Sequence, residues 1–451
     1  MSEVSKRRRK RQRTETGAGS HVANDAGAIG GGSKEGGGKE LAALAAQIAA
    51  RTSSRRRSSS RRIRRNGGID LLRGLSILLV VLHHIGLRIP LKLTALAVFL
   101  PERLFDVLNY NGYESVFVFF TISGFLIAGN ALQRWGSLDA INFKAFYARR
   151  FARIMPCLLA LVLVLSVLDL LGFQDYLITH ANQSLPSAIF AALGLQLNWY
   201  EGHTGYLPGN WDVLWSLSIE EVFYIGFPIV CVLTRRAWVL VPMLIVLALS
   251  LPFTHAALAS NEIWQEKAYL PGMAAIAMGV LGALIAKQFR PTSRWIATTL
   301  CIIGATGIVS IYVVEDILRP LLKDSCLLLL TLSAMCMLVG LHWRDDKGSQ
   351  RPLRGFGWLR SFGRLSYEIY LTHMFVVYGA VRLFKALGGD MPSGWLWYVP
   401  VVLLCWLLGW LVARRFSIPC DRALRDRLLV QSSPRDHGGL LAGATAAGEQ
   451  G

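Results

Sequence analysis

The sequence predicts an all-α polytopic membrane protein of about ten transmembrane helices, with both termini cytoplasmic. Three observations carry this. Hydrophobic residues make up 53% of the 451-residue chain and charged residues only 17%, whereas soluble domains run near a quarter charged. From residue 69 onward the apolar residues gather into runs of about 20, the length that crosses a hydrocarbon core of roughly 30 Å. The net charge of +19 concentrates in the first 65 residues and in short loops.

Residues 1–65 combine KRRRKRQR, a Gly-rich stretch from Gly27 to Gly38 and RTSSRRRSSSRRIRR. Such a composition buries too little apolar surface to fold, so a disordered basic cytoplasmic tail is expected. The insert from Lys39 to Arg51 suits a short helix at a membrane surface. The first apolar run starts far too late for a secretory signal peptide, so it is expected to remain as a membrane helix.

The integral-membrane domain is predicted over 66–418. Its spans are read at 69–88, 113–133, 154–172, 213–234, 237–253, 271–287, 294–313, 325–342, 363–385 and 396–416. The apolar run from Ser187 to Trp199 is short and reads as an interfacial or re-entrant piece. Residues 419–451 form a short Gly/Ala-rich cytoplasmic tail. With the N-terminus inside, the inner loops carry twice as many Lys and Arg as the outer ones, and the long loop 173–212 carries none. That is the positive-inside asymmetry.

The basic balance does not make this a nucleic-acid binder. No base-reading module accompanies the charge, and a positive segment before a membrane helix has its own explanation. Membrane lipids are expected as partners of the protein, and nucleic acid is not. The seven cysteines lie mostly inside apolar runs with no C-x-x-C, and they read as small buried hydrophobes rather than a disulfide framework or metal site.

Ionisable groups inside a bilayer are costly, so each is a functional candidate. The first span, GIDLLRGLSILLVVLHHIG, carries Arg73 and His84. Eleven residues separate them, about 16.5 Å along the axis and three turns plus roughly 20°, which puts both on one face. His83 points elsewhere and reads as structural. In the second span Ser123 and Gly124 interrupt large apolar residues, either for close helix packing or to leave room for a substrate chain. The following loop, FYARRFARIMP, places Arg150 and Arg153 at i, i+3, a spacing at which two guanidiniums can share one anion. The fourth span opens NWDVLWSLSIEEVFY, with Ser216, Glu220 and Tyr224 in a polar stripe next to Trp215. The ninth reads GRLSYEIYLTH, where Ser366, Tyr370 and His373 form another stripe with Tyr367 on the adjoining face. Counted from the outer boundary, His84 and Glu220 lie roughly 6 to 11 Å deep with His373 nearer the middle, so the three could line one cavity.

Together these segments resemble the acyltransferase-3 family of integral-membrane acyltransferases. The resemblance rests on Arg-x10-His (Arg73, His84), F-F-x-x-S-G (Phe119 to Gly124), R-x-x-R (Arg150, Arg153), W-S-L-S-x-E (Trp215 to Glu220) and S-Y-x-x-Y-L-x-H (Ser366 to His373). It implies transfer of an acyl group, usually acetyl, from acyl-coenzyme A as donor substrate to a hydroxyl of a carbohydrate or a lipid-linked glycan, with no bound cofactor or metal. By resemblance His84 is the catalytic histidine with Arg73 as companion and Glu220 tuning the site. Arg150, Arg153, Ser123 and Gly124 then serve the donor, and Trp215, Ser216, Tyr224, Tyr367, Tyr370 and His373 line the substrate pocket. A bacterial inner membrane suits the family. The competing class is a secondary transporter, which also buries ionisable residues at mid-membrane. It predicts repeat symmetry between halves, and none is visible.

Overall fold

The computed structural model describes residues 65–346 and 355–430. The expected basic tail up to Arg64, the Lys39–Arg51 helix and the end of the C-terminal tail lie outside the described residues. Among the described residues the regular structure is helical throughout, as the apolar periodicity predicts. A bilayer offers no partner to a backbone N–H or C=O, so each segment must close its own hydrogen bonds.

Among the described residues nine segments are long and apolar enough to cross a membrane. They are built on α1 (Gly67–Gly86), α3 (Gly112–Trp135), α4 (Phe143–Leu170), α7 (Leu214–Thr234), α8 (Ala237–Leu249, continued by α9, Leu251–Ala256), α11 (Tyr269–Gln288), α12 (Arg294–Leu322), α13 (Ser325–Asp346) and α16 (Tyr398–Val412). A further helix, α15 (Ser366–Ala386), has 21 residues, also enough to span, but carries Glu368, Arg382 and Lys385. It is the ninth span read from the sequence, and its polarity keeps it outside these nine. Its charge is tolerated because Ser366, Glu368 and His373 are buried against other helices rather than against lipid.

Several boundaries differ from the sequence reading. The third helix begins at Phe143, capped by Asn142, so FYARRFARIMP is helix and not loop. The ninth run is broken at Leu365 into α14 (Gly357–Arg364) and α15. The run from Ser187 to Trp199 becomes two short helices, α5 (Leu185–Leu193) and α6 (Leu197–Thr204), neither long enough to cross. The last run continues through a π-helical turn at Ala413–Ser417 into α17 (Ile418–Val430). The first residues of the expected C-terminal tail are thus helical, and they pack along α4.

Glycines bring backbones together at several helix crossings. A Cβ on Gly124 would lie 1.9 Å from the carbonyl oxygen of Ile276, and one on Gly279 would lie 1.9 Å from that of Thr121. Helices α3 and α11 therefore meet main chain to main chain, the arrangement small residues permit where lipid gives no hydrophobic drive for association. Gly74 and Gly363 do the same for α1 and α14. Replacing Gly279 by Leu is expected to lower the midpoint of thermal unfolding in detergent, with an overpacking cost of at least about 1–3 kcal/mol. Gly226→Leu, at a position with nothing within 4 Å of a Cβ, should leave that midpoint unchanged.

Candidate functional site

Helices α1 and α15 lie side by side and run in the same direction. Arg73 Nη2 donates to Ser366 Oγ at 2.7 Å, and further along both helices the rings of His84 and His373 sit 5.1 Å apart between centroids. The polar faces predicted separately on the two spans are thus one shared seam. Between its ends, Tyr370 is hydrogen-bonded through its hydroxyl to Ser216 of α7 at 2.7 Å, and its ring lies 5.8 Å from that of His373.

At the Arg73 end, α3, α4 and α7 converge. The Tyr224 hydroxyl donates to Ser123 Oγ at 2.6 Å, and the Arg150 guanidinium lies over the Tyr224 ring at 3.9 Å, a cation–π contact. Glu220 has Ser123, Arg150 and Arg73 as its polar and charged neighbours. The expectation that Glu220 shares a depth with His84 is therefore corrected. Asn210 and Trp211, just before α7, are fully buried, so this span starts inside the protein and carries Glu220 to the Arg73 end.

At the other end, the electrostatic neighbours of His84 are His373, His83 and Arg88. Arg88 donates to the His84 carbonyl at 2.8 Å and to the Tyr378 hydroxyl at 2.8 Å. His83 is engaged separately, with its Nδ1 2.8 Å from the Asn109 carbonyl. His373 is fully buried, and its Nδ1 lies 2.8 Å from the Tyr370 carbonyl and 3.2 Å from that of Ile369. His84 Nδ1 and His373 Nε2 are both buried without a hydrogen-bond partner.

Other expected site residues are drawn elsewhere. Arg153 is engaged by its own carboxylate rather than left to act as a pair with Arg150. It pairs with Glu368 at 2.8 Å and donates to Ser417 Oγ at 3.0 Å, and Ser417 in turn donates to Glu368 at 2.7 Å. The same guanidinium sits over the Tyr367 ring at 4.8 Å, and the Tyr367 hydroxyl donates to the Ile154 carbonyl at 3.2 Å. Arg153 and Tyr367 thus fasten α4 to α15. Gly124 leaves no room for a substrate chain, because the backbone of α11 occupies that space. Trp215 is a core side chain, edge-on to Phe120 at 6.0 Å.

Two groups in this region escaped the sequence reading. Glu368 follows Tyr367 inside a predicted span, and an intramembrane carboxylate was the available signal. Lys267, counted as a loop charge, is only 2% exposed and pairs with Glu201 at 2.9 Å and with Asp212. The segment it holds contains Asn210, whose Nδ2 donates to the Leu371 carbonyl at 2.9 Å, two residues from His373.

The fold and the polar seam define a membrane-embedded protein with a histidine pair at one end and an arginine–carboxylate cluster at the other. Residues 66–414 match the model of the acyltransferase-3 family, described as an acyltransferase domain, and the chain belongs to that family. A Staphylococcus aureus (strain COL) protein that carries an O-acetyltransferase name is 28% identical over 169 residues, 37% of this chain and 24% of the relative. The peptidoglycan O-acetyltransferase OatA of Listeria monocytogenes is 26% identical over 218 residues, 45% of this chain and 29% of the relative. The chain thus spans about a quarter of the length of these two. The acyltransferase MdmB of Streptomyces mycarofaciens is 25% identical over 353 residues, 72% of this chain and 84% of the relative. No solved structure matches.

Breaking a buried ion pair from one side leaves an uncompensated charge, at a cost of about 3–5 kcal/mol. Arg153→Ala and Glu368→Ala should each lower the thermal midpoint in detergent, and the double variant should lose clearly less than the sum of the two. Strict additivity would show that the pair does not hold α4 to α15.

Proposed function

We propose that the protein is a membrane O-acyltransferase that moves an acyl group, acetyl in the simplest case, from acyl-coenzyme A to a hydroxyl of a carbohydrate or lipid-linked glycan. The observation that carries this reading is the seam itself. It brings two histidines with unpartnered buried nitrogens to one end of α1 and α15, and an arginine–carboxylate cluster to the other. Family membership and the names of the relatives support the same class of reaction.

The residue types suit the chemistry. A neutral imidazole accepts a proton near working pH, so His84 serves as the general base. It takes the proton of the attacking hydroxyl as the oxygen bonds to the thioester carbonyl carbon. When the tetrahedral species collapses, the C–S bond breaks and the thiolate leaves as the thiol, with the proton returned from the imidazolium. The phosphates of the donor call for guanidiniums. Arg150, which lies over the Tyr224 ring near Glu220, is better placed to offer its donors than Arg153, which Glu368 engages directly. Arg73 joins α1 to α15 and screens Glu220. In this reading the Arg73 end faces the cytoplasm, where the sequence puts the greater share of loop arginines and lysines, and the acceptor meets His84 from the opposite side.

Purified protein given labelled acetyl-coenzyme A and a glycan extract should transfer label to the glycan. His84→Ala should lower turnover by about 10²- to 10⁴-fold, the usual contribution of a general base. Equal transfer by both proteins rules out the base assignment, and solute uptake without transfer points to a transporter. Arg150→Ala should raise the KM for the donor by about 10- to 100-fold, the scale of one hydrogen bond to a charged group, with a smaller change in kcat.

A further inference from the structure

The hydrogen bonds of His373 decide which of its nitrogens carries a proton. Nδ1 has only carbonyl oxygens beside it, those of Tyr370 and Ile369. A carbonyl accepts and never donates, so Nδ1 is the N–H. The neutral ring then presents Nε2 as a bare acceptor. That nitrogen is buried with no partner, and so is His84 Nδ1, in a ring 5.1 Å away. An N–H···N bond of about 3 Å between two imidazoles, each nitrogen about 1.1 Å from its ring centre, puts the centres about 5 Å apart. The rings stand at that separation, tilted by 40°, and the terminal torsion of His84, which is broad for histidine, can turn Nδ1 toward His373 Nε2 while the His373 Nδ1 bonds to Tyr370 and Ile369 stay in place. The His83 ring is also close to His84, at 5.2 Å, but it meets that ring edge-on at 70°, and its Nε2, unlike that of His373, is not a buried nitrogen without a partner. Glu220 belongs to the other end of the seam.

We infer that His373 is a positioning residue for His84: its Nε2 accepts the His84 Nδ1–H and so leaves His84 Nε2 as the base that faces the acceptor hydroxyl. The inference rests on the acyl-transfer reading only for the use made of that base. When the hydroxyl proton moves to His84 Nε2, the Nδ1–H stays bonded to His373. The positive ring keeps a partner in an apolar setting until the proton passes to the leaving thiolate. The arrangement does what a carboxylate does in a serine-protease triad, where the third group sets the tautomer of the base. Here that group is neutral, so no second charge is buried.

Two readouts test this on the full chain in detergent. In ¹⁵N spectra of histidine-labelled protein, with His84 identified by its loss in His84→Ala, wild-type His84 should be protonated at Nδ1. In His373→Phe it should shift toward the Nε2–H form, and kcat for acetyl transfer from labelled acetyl-coenzyme A should fall by about 10²- to 10⁴-fold with little change in KM. His373→Gln keeps an acceptor oxygen at the same reach and should retain the Nδ1–H form and much of the turnover. An unchanged His84 tautomer in His373→Phe overturns the inference, as does an equal loss of kcat in the Phe and Gln variants. The tautomer is read without any substrate, so a protein that transfers no acyl group still decides this point and fails only the functional reading.

Discussion

A polar side chain inside a bilayer must find its partner within the protein, and in this chain the partners are found across α15. One face of that helix supplies Ser366 to Arg73, Tyr370 to Ser216 and His373 to the neighbourhood of His84. The opposite side supplies Glu368 to Arg153 and Ser417. Two residues along a helix turn by about 200°, so Ser366 and Glu368 are nearly back to back. A helix too polar to count as a lipid-facing span is therefore the central strut, because each polar group is spent on a different neighbour.

Close helix contact makes this possible. Glycines at the α1–α14 and α3–α11 crossings let backbones touch, which brings α1, α3, α7 and α15 near enough for short side chains such as Ser123, Ser216 and Ser366 to bond across helices. The π-helical turn at Ala413–Ser417 sits where Ser417 must reach Glu368. Irregular turns of this kind recur where a helix has to re-aim a side chain for function. The outcome is a graded seam. One end is crowded with charge at Arg73, Glu220 and Arg150, and at the other Arg88 is the charged group beside the histidines. Such a division suits the acyl transfer proposed above, with the donor phosphates at the charged end and the proton transfer at the histidine end.

Much of this was legible in the sequence, for physical reasons that act locally. Helical phase put Arg73 and His84 on one face, and the same phase grouped Ser366, Tyr370 and His373, so both halves of the seam could be drawn without knowing that they meet. The length of apolar runs found the membrane helices. Depth was less legible. Counting residues from an assumed boundary placed Glu220 beside His84, but the Asn210–Trp211 turn is sunk within the protein and carries α7 to a different level.

Composition and periodicity by themselves determined the all-helical membrane class, the approximate spans and the residues that could carry chemistry, because hydrophobic length and helical repeat are properties of one segment at a time. Only the tertiary structure decided which of those residues meet. It paired Arg153 with Glu368, filled the space at Gly124 with the backbone of α11, buried Lys267 between two carboxylates and set His373 beside His84. Each of these depends on how helices distant in sequence pack, and no pattern within a single helix encodes the identity of its neighbour.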